Sequence, residues 1–450
     1  MSNRQTNCEE KAQTSGEAFQ GGGASAQNAM GALDSRSSTI TGRLGHVLIV
    51  VENQPVPFDR RVWSEATALS RAGYDVSVIC PTGKGASKSF EIIDGIYVYR
   101  HWAPREANGV TGYFVEYGTA LFWEFVLSFR ILLTRGFDVI QGCNPPDLIF
   151  LLGAFYKITC GKRFVFDHHD ICPELYEAKF GRKGLFWRLQ VLLERWTFRT
   201  ADVSLATNES FRSIAIERGR MRPERVFAVR TGPNLSRIRP FPADEAWKAG
   251  RRFMVAYVGV IGNQDGLDLL IDSVAHIRQI RKRYDIQFVI IGDGPELNTI
   301  IRLSRDAGLE DVITFVGHVS DDRKLFTILS TADVCVNPDR PNAMNNKSTT
   351  IKIMEYMALG KPIVQFDLIE GRNSARDASL YARNDDTADF GDKILELLDD
   401  PETSRKMGAF GEERVKEVLA WEHEEKKLLA AYQAVFSDLN YAKDPKREKR

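Results

Sequence analysis

The stretch Thr349–Val364, TTIKIMEYMALGKPIV, reads as a helix that runs directly into a strand. Thr349 or Thr350 can cap the helix start, Gly360 suits its end, and Pro362 stops it continuing. Ile351, Ile353, Met354, Met357, Ala358 and Leu359 make the helix largely apolar, so it is expected to be mostly buried. Lys352 and Glu355 interrupt that pattern and lie three residues apart on one face. Either they form a local ion pair, or they serve a ligand at the positive end of the helix.

The same grammar of apolar strands and helices extends outward on both sides. Upstream lie RFMVAYVG (252–259), IQFVIIG (286–292), VITFVG (312–317) and ADVCVNP (332–338), with KPIVQFD (361–367) closing the series before a purely helical pattern from about 385 to 437. The first half repeats it, with HVLIVVE (46–52), DVSVIC (75–80), FDVIQG (137–142), KRFVFD (162–167), ADVSLAT (201–207) and RVFAVR (225–230), and the helical stretch RRVWSEATALSRAG (60–73). Continuous apolar strands alternating with helices predict an α/β fold with a parallel, doubly wound sheet in each half. Proline-rich, aperiodic residues 232–251 read as a linker. The expected organisation is a disordered extension over 1–43, a Rossmann-like domain over 44–231, the linker, a second Rossmann-like domain over 252–420, and a C-terminal helix with a basic tail over 421–450. The helix is expected to return to the N-terminal domain. Ligands of such sheets sit beyond the C-terminal strand ends, so a cleft between the domains is the expected site.

A chain of 450 residues is too long for one ordinary core, which agrees with two domains. Sixty basic and sixty acidic residues leave no net charge, which argues against a nucleic-acid partner. The six cysteines are scattered without a CxxC pair, so a reduced compartment fits, with neither a zinc site nor a disulfide framework. The most apolar segment, 113–133, is interrupted by Glu116, Glu124 and Arg130 and reads as a buried or interfacial helix. The segment 179–199 mixes Lys179, Arg182, Lys183, Arg188, Arg195 and Arg199 with aromatic residues. It either lies on an anionic membrane surface or packs on the sheet with a solvated basic face.

Two glycine loops stand at strand ends. YVGVIGNQDGLDLL (257–270) carries Gly259 and Gly262, and VIIGDGPELNTI (289–300) carries Gly292 and Gly294. Each either admits a phosphate to the backbone and a helix N-terminus or is a plain strand-to-helix turn. Neither is GxGxxG, and no GxxxxGK[ST] occurs, which disfavours a dinucleotide or P-loop enzyme.

VIIGDGPE, FVGHVSDDRKLFTILSTADVCVNP and IKIMEYMALGKPIV, in that order and spacing, resemble the nucleotide-sugar half of GT-B glycosyltransferases of family four, the RfaG-like enzymes of cell-envelope and exopolysaccharide synthesis. VENQPVPFDRRVWSEATALSRAGYDVSVIC resembles the family's first βαβ unit, and FVFDHHDICPELY its catalytic strand end. The resemblance spans roughly residues 44–437. It implies the GT-B fold, a nucleotide-sugar donor and a hexosyl transfer that retains configuration without metal or cofactor. It also implies a glycan acceptor, lipid-linked on the cytoplasmic face of a cell membrane.

Residue by residue, the resemblance gives Glu355 the ribose hydroxyls of the donor, and gives Lys352, Thr350 and the helix start the diphosphate. Lys347 stands where the family often has a sugar-gripping glutamate. Val260 and Asp265 stand where it often has phosphate-binding cations, which Lys352, Lys347 or Arg340 are then expected to replace. His169 with Asp170 matches the family's His-Asp pair better than His168 does. Arg60, Arg61 and Asn53, in the loop after the first strand, are expected to meet an acceptor or phosphate; the alternative is that the arginines pair with Asp59 or Glu65. A nucleotide-sugar epimerase or hydrolase, and an inactive scaffold protein, are the other functions compatible with these residues.

Overall fold

The structure is a computed structural model that describes residues 44–83, 85–102 and 110–442. The extension expected over 1–43 and the basic tail KDPKREKR lie outside the described residues. The N-terminal sheet has eight strands: β1 (His46–Val50), β2 (Asp75–Pro81), β3 (Phe90–Ile93), β4 (Ile96–His101), β5 (Val139–Cys143), β6 (Arg163–His168), β7 (Val203–Ala206) and β8 (Val226–Ala228). Their order is β3-β4-β2-β1-β5-β6-β7-β8, parallel except for the β3–β4 hairpin. That hairpin was not anticipated; it turns at Asp94-Gly95, both with positive φ, the conformation this dipeptide favours. The second sheet is β9 (Phe253–Val258), β10 (Ile286–Ile291), β11 (Ile313–Gly317), β12 (Val334–Asn337), β13 (Ile363–Phe366) and β14 (Ser379–Ala382), all parallel in the order β11-β10-β9-β12-β13-β14. Strand order reverses between β1 and β5 in one sheet and between β9 and β12 in the other. The loops after these four strands therefore border the crevices where ligands of open parallel sheets bind.

The connecting helices are α1 (Arg60–Arg71), α2 (Val110–Thr134), α3 (Phe150–Cys160), α4 (Cys172–Phe180), α5 (Leu185–Thr200) and α6 (Glu209–Glu217) in the first half. In the second they are α7 (Leu267–Ala275), α8 (Leu297–Asp306), α9 (Asp322–Thr331), α10 (Ile351–Ala358), α11 (Ile369–Ala375), α12 (Thr387–Asp399) and α13 (Pro401–Arg414), followed by α14 (Trp421–Ala442). One face of the N-terminal sheet packs on α1 and α14, burying Val62, Leu69, Leu428, Tyr432 and Val435 against Val47 and Val78. The other face packs on α2, α3, α5 and α6 through Ile131, Tyr156, Phe198 and Phe211. In α2, Glu124 and Ser128 turn inward while Phe122 and Leu133 turn out, the reverse of a simple soluble amphipathic helix. Ser128 Oγ lies 2.8 Å from the Tyr156 hydroxyl.

The chain passes between the halves twice, once through residues 232–251 and once on the way into α14. The two crossings touch: Trp421 N donates to Pro233 O at 3.1 Å, and a Cβ on Gly232 would stand only 2.4 Å from Leu419 O. Tyr432 of α14 is fully buried and donates its hydroxyl to the side-chain Oε1 of Gln141 on β5. Tyr432→Ala should therefore lower unfolding free energy by about 3–5 kcal/mol, the usual cost of a large aromatic removed from a core, read as an earlier urea midpoint.

Candidate active site

β6 delivers its last residues to the cleft end of the N-terminal sheet, and its two histidines part there. His168 is fully buried with its ring among Phe166, Phe198 and Phe211. Burial pushes its pKa down to about 3, so it is a neutral core residue. The His169 ring points the other way and places Nε2 2.5 Å from Asp167 Oδ2. Its loop is clamped by Asn144, which follows β5. Asn144 Oδ1 accepts from the backbone N–H groups of His169 at 2.8 Å and Asp170 at 3.2 Å, and Nδ2 donates to Asp170 O at 2.7 Å. Burial raises the Asp170 pKa.

Asp167 is the hub. Arg61 Nη2 reaches its Oδ1 at 2.6 Å, Arg61 Nε donates to both oxygens at 3.2 Å, and Gln141 Nε2 donates to Oδ2 at 3.3 Å. Burial alone would raise the Asp167 pKa, but Arg61 and His169 hold it below the ordinary carboxylate range. Burial, with Asp167 beside it, pushes Glu65 up to about 8. Arg61 thus follows the alternative reading, pairing with acids of the protein, Glu65 among them, and does not stand open to an external anion. It is buried, also donates to Val229 O at 2.7 Å, and lies 3.2 Å from Glu65. Cys143, Asp167 and His169 bring three possible metal-ligand atoms within 4.8 Å of one another. The Arg61 cation on Asp167, and a thiol that burial keeps protonated, make this trio unsuited to a cation.

Across the cleft, α10 begins as the sequence suggested, and Gly360 follows it with a left-handed φ of 65°. The cap differs. Thr350 occupies the capping position without a side-chain cap bond, and its hydroxyl donates to Asp339 Oδ2 at 2.8 Å. Thr349 Oγ1 accepts instead from Asn208 of the other half, at 3.0 Å. Lys352 and Glu355 do not pair with each other. Lys352 is buried, its Nζ 3.1 Å from Asp339 Oδ1 and 3.2 Å from the Tyr257 hydroxyl. Burial opposes its charge, but Asp339, Tyr257 and Asp265 together outweigh it and raise its pKa. Glu355 reaches across the cleft, its Oε1 accepting from Arg60 Nη1 at 3.0 Å. The carboxylate side chain is 8% exposed and the arginine 54%, so the pair has a fixed partner and a movable one.

The other expected cations are also engaged. Lys347 Nζ lies 2.8 Å from Glu174, and Arg340 Nη2 2.5 Å from Asp268. Asp265 accepts from Gly262 N at 3.1 Å, and burial raises its pKa to about 6. Gly292 and Gly294 are needed for loop packing. Added Cβ atoms would stand 1.8 Å from Gly259 O and 2.5 Å from Ile261 O, so these glycines let the two loops lie backbone to backbone. A Cβ on Gly259 would press on the Tyr257 hydroxyl and Lys352. Asn53 is exposed in the loop after β1. Asp167 and Asn144 were missed as site residues; a polar residue ending a continuous apolar strand, as in FVFD and IQGCN, is the signal that marks both.

Two parallel sheets facing one cleft, with a carboxylate-held histidine on one side and a buried glutamate on the other, define the two-domain GT-B class. Residues 59–232 match the family described as Glycosyl transferase 4-like domain, and residues 252–400 that of Glycosyl transferases group 1. The chain belongs to these family-four-type GT-B glycosyltransferases. It is 30% identical over 158 residues to alpha-D-kanosaminyltransferase of Streptomyces kanamyceticus, covering 35% of this chain and 39% of that protein. It is 29% identical over 201 residues to a GDP-mannose-dependent alpha-(1-6)-phosphatidylinositol monomannoside mannosyltransferase of Mycobacterium tuberculosis, covering 42% and 51%. The matches thus span about half, or less, of these relatives' lengths. The fold is similar to the solved sucrose-phosphate synthase of Thermosynechococcus elongatus, with TM-score 0.73 and 18% identity over 88% of this chain and 100% of that one.

The Asp167–His169 pair has a pH signature. Burial would lower the His169 pKa, but the carboxylate overcomes it and raises the value above 6.5. The stabilisation is therefore fully present below the unfolded pKa of about 6.5 and is lost as pH rises through the folded value. NMR titration of the His169 ring should give a midpoint above 6.5, falling in Asp167→Asn.

Proposed function

We propose that this protein transfers a hexosyl group from a nucleotide-diphosphate sugar to a glycan hydroxyl, the acceptor being carried on a lipid. The observation that carries this reading is the pair Arg60–Glu355, a buried carboxylate in the middle of α10 met by an exposed arginine from the opposite half. Two vicinal ribose hydroxyls can replace the guanidinium on one carboxylate, because both donate hydrogen bonds to it. Arg60, once displaced, is free to meet an anion, either the donor diphosphate or a phosphate of the acceptor. His169, held in orientation by Asp167, faces the donor sugar from the other side and hydrogen-bonds the group being transferred. The positive start of α10, with Lys352 behind it, opposes charge developing on the departing diphosphate. That the mycobacterial relative is GDP-mannose-dependent supports a nucleotide sugar as donor. Retention of configuration without metal belongs to the same reading.

The setting we infer is the cytoplasmic face of a cell membrane, in exopolysaccharide or cell-envelope synthesis. Among the described residues no helix is long and apolar enough to cross a bilayer. Yet Phe122, Phe129 and Leu133 of α2, Ile158 of α3 and Leu189 and Trp196 of α5 are exposed on one side of the N-terminal sheet. Apolar exposure of this kind beside cations suits a surface that rests on lipid.

Glu355→Ala should weaken nucleotide-diphosphate binding by about 2–4 kcal/mol in calorimetry, while Arg60→Ala should weaken it only if the displaced arginine meets the donor diphosphate, and leave it unchanged if the arginine meets the acceptor phosphate. His169→Ala should keep that affinity and lower kcat by roughly 10²-fold or more. A product assay with and without acceptor separates transfer from hydrolysis. The wild type should co-sediment with anionic vesicles more than with neutral ones, and less at high salt.

A further inference from the structure

At the end of the N-terminal domain opposite the cleft, a cavity of about 500 Å³ opens between the start of β6, the end of α5 and the loop after α6. Its wall carries Arg163, Arg199, Arg220, Arg222 and Arg225, with Asp202 as its sole acid. A smaller cavity of about 290 Å³ shares Arg199 and Arg220 and adds Arg195 and Arg218. The chain as a whole is neutral, so this concentration of guanidinium groups is local. Much of the nearby acid is already matched. Asp202 is met by Lys157 at 3.0 Å and Arg163 at 3.1 Å, and Glu174 and Glu194 are met by Arg218 at 2.9 and 2.5 Å. Exposed Glu224 lies 3.6 Å from Arg222. Among the described residues, the side chains of Arg195, Arg199 and Arg220 make no ion pair or hydrogen bond with protein. Three unmatched cations held around a cavity repel one another, and an anion placed between them removes that repulsion.

The position of the cavity narrows the anion. Leu185, Leu189, Leu192 and Trp196 recur at helical spacing as one exposed stripe on α5, and Arg199 is the next residue on that stripe. The apolar stripe thus runs straight into the arginine cavity. An apolar surface bordered by guanidinium groups matches a lipid, whose chains lie beside a phosphate headgroup. Arginine's planar fork also binds phosphate oxygens in pairs.

We propose that Arg195, Arg199 and Arg220 form a binding site for the phosphate of an anionic phospholipid headgroup. The site lies apart from the donor cleft and fixes how the α5 face sits on a bilayer. The proposal rests on the lipid-surface reading above, and the test separates the two. Wild type and an Arg195→Gln, Arg199→Gln, Arg220→Gln variant are compared on phosphatidylcholine vesicles with and without phosphatidylglycerol. Nucleotide binding serves as the folding control. Wild type should bind the phosphatidylglycerol vesicles far better. The variant should lose roughly 10²-fold of that binding, at about 1 kcal/mol for each arginine near an anionic surface, and fall to the level of neutral vesicles. A variant that binds anionic vesicles as wild type does would overturn the site while leaving membrane docking intact. Wild type that binds neither vesicle overturns the docking reading and the lipid assignment together. In that case, quenching of tryptophan fluorescence by inorganic phosphate in wild type, lost in the variant, would assign the cavity to a soluble anion instead.

Discussion

The contact between Arg61 and Asp167 organises the N-terminal half. It joins the first turn of α1 to the end of β6 at 2.6 Å, with both side chains almost wholly removed from water. An ion pair so placed is not by itself a source of stability, since the desolvation of two charges offsets most of their attraction. Its effect is positional. The Arg61 guanidinium that neutralises Asp167 also grips Val229 O, just before the chain leaves for the other domain. Asp167, kept ionised, holds the His169 ring. Gln141 bridges Asp167 and Glu65 and receives the Tyr432 hydroxyl, which ties in the C-terminal helix. Taking away either charge would leave the other buried and unpaired, the costly case.

Apart from Met344, which packs on the N-terminal core, the halves meet along the cleft largely through polar contacts. Arg60 meets Glu355, Lys347 meets Glu174, Asn208 holds Lys347 O and Thr349, and Ser210 Oγ donates to Glu370 at 2.6 Å. Such contacts exchange readily with water or a ligand, unlike an apolar interface, which has to be exposed to be broken. The site can therefore accept a polar guest without first disrupting a core.

Much of this was legible in the sequence. The apolar strand runs marked eleven of the fourteen strands to within a few residues, because a strand covered on both faces must be apolar throughout. The β3–β4 hairpin escaped notice, since its edge strand FEII is short and half exposed. Strand β14 escaped for a similar reason: it is only four residues long, two of them half-buried, and lies between the last strand read from the sequence and the helical pattern that starts near 385. The two histidines were separable only in part from sequence: the structure puts the His168 ring in the core and the His169 ring against Asp167. The pairing of charges was not legible. Lys352 and Glu355 are neighbours on one helix face, yet each bonds elsewhere, to Asp339 and to Arg60. Arg60 and Arg61 are adjacent in sequence but have opposite surroundings, one in the cleft and one in the core. Spacing reports which side of a helix a residue occupies, not which distant acid lies within its reach.

The two crossings between the halves have a mechanical meaning. Pro233 and Trp421 join them at one point, and Gly232 is pressed against Leu419 there. A single tether would allow the halves to swivel, slide and twist independently. Two tethers fastened to each other behave as an axle, leaving rotation about that point as the soft direction. Arg60 lies next to Arg61, which grips Val229 O and Thr231 beside the first crossing, so the Arg60–Glu355 contact works close to the axle. Whatever parts that pair therefore turns the halves through a large angle for a small displacement.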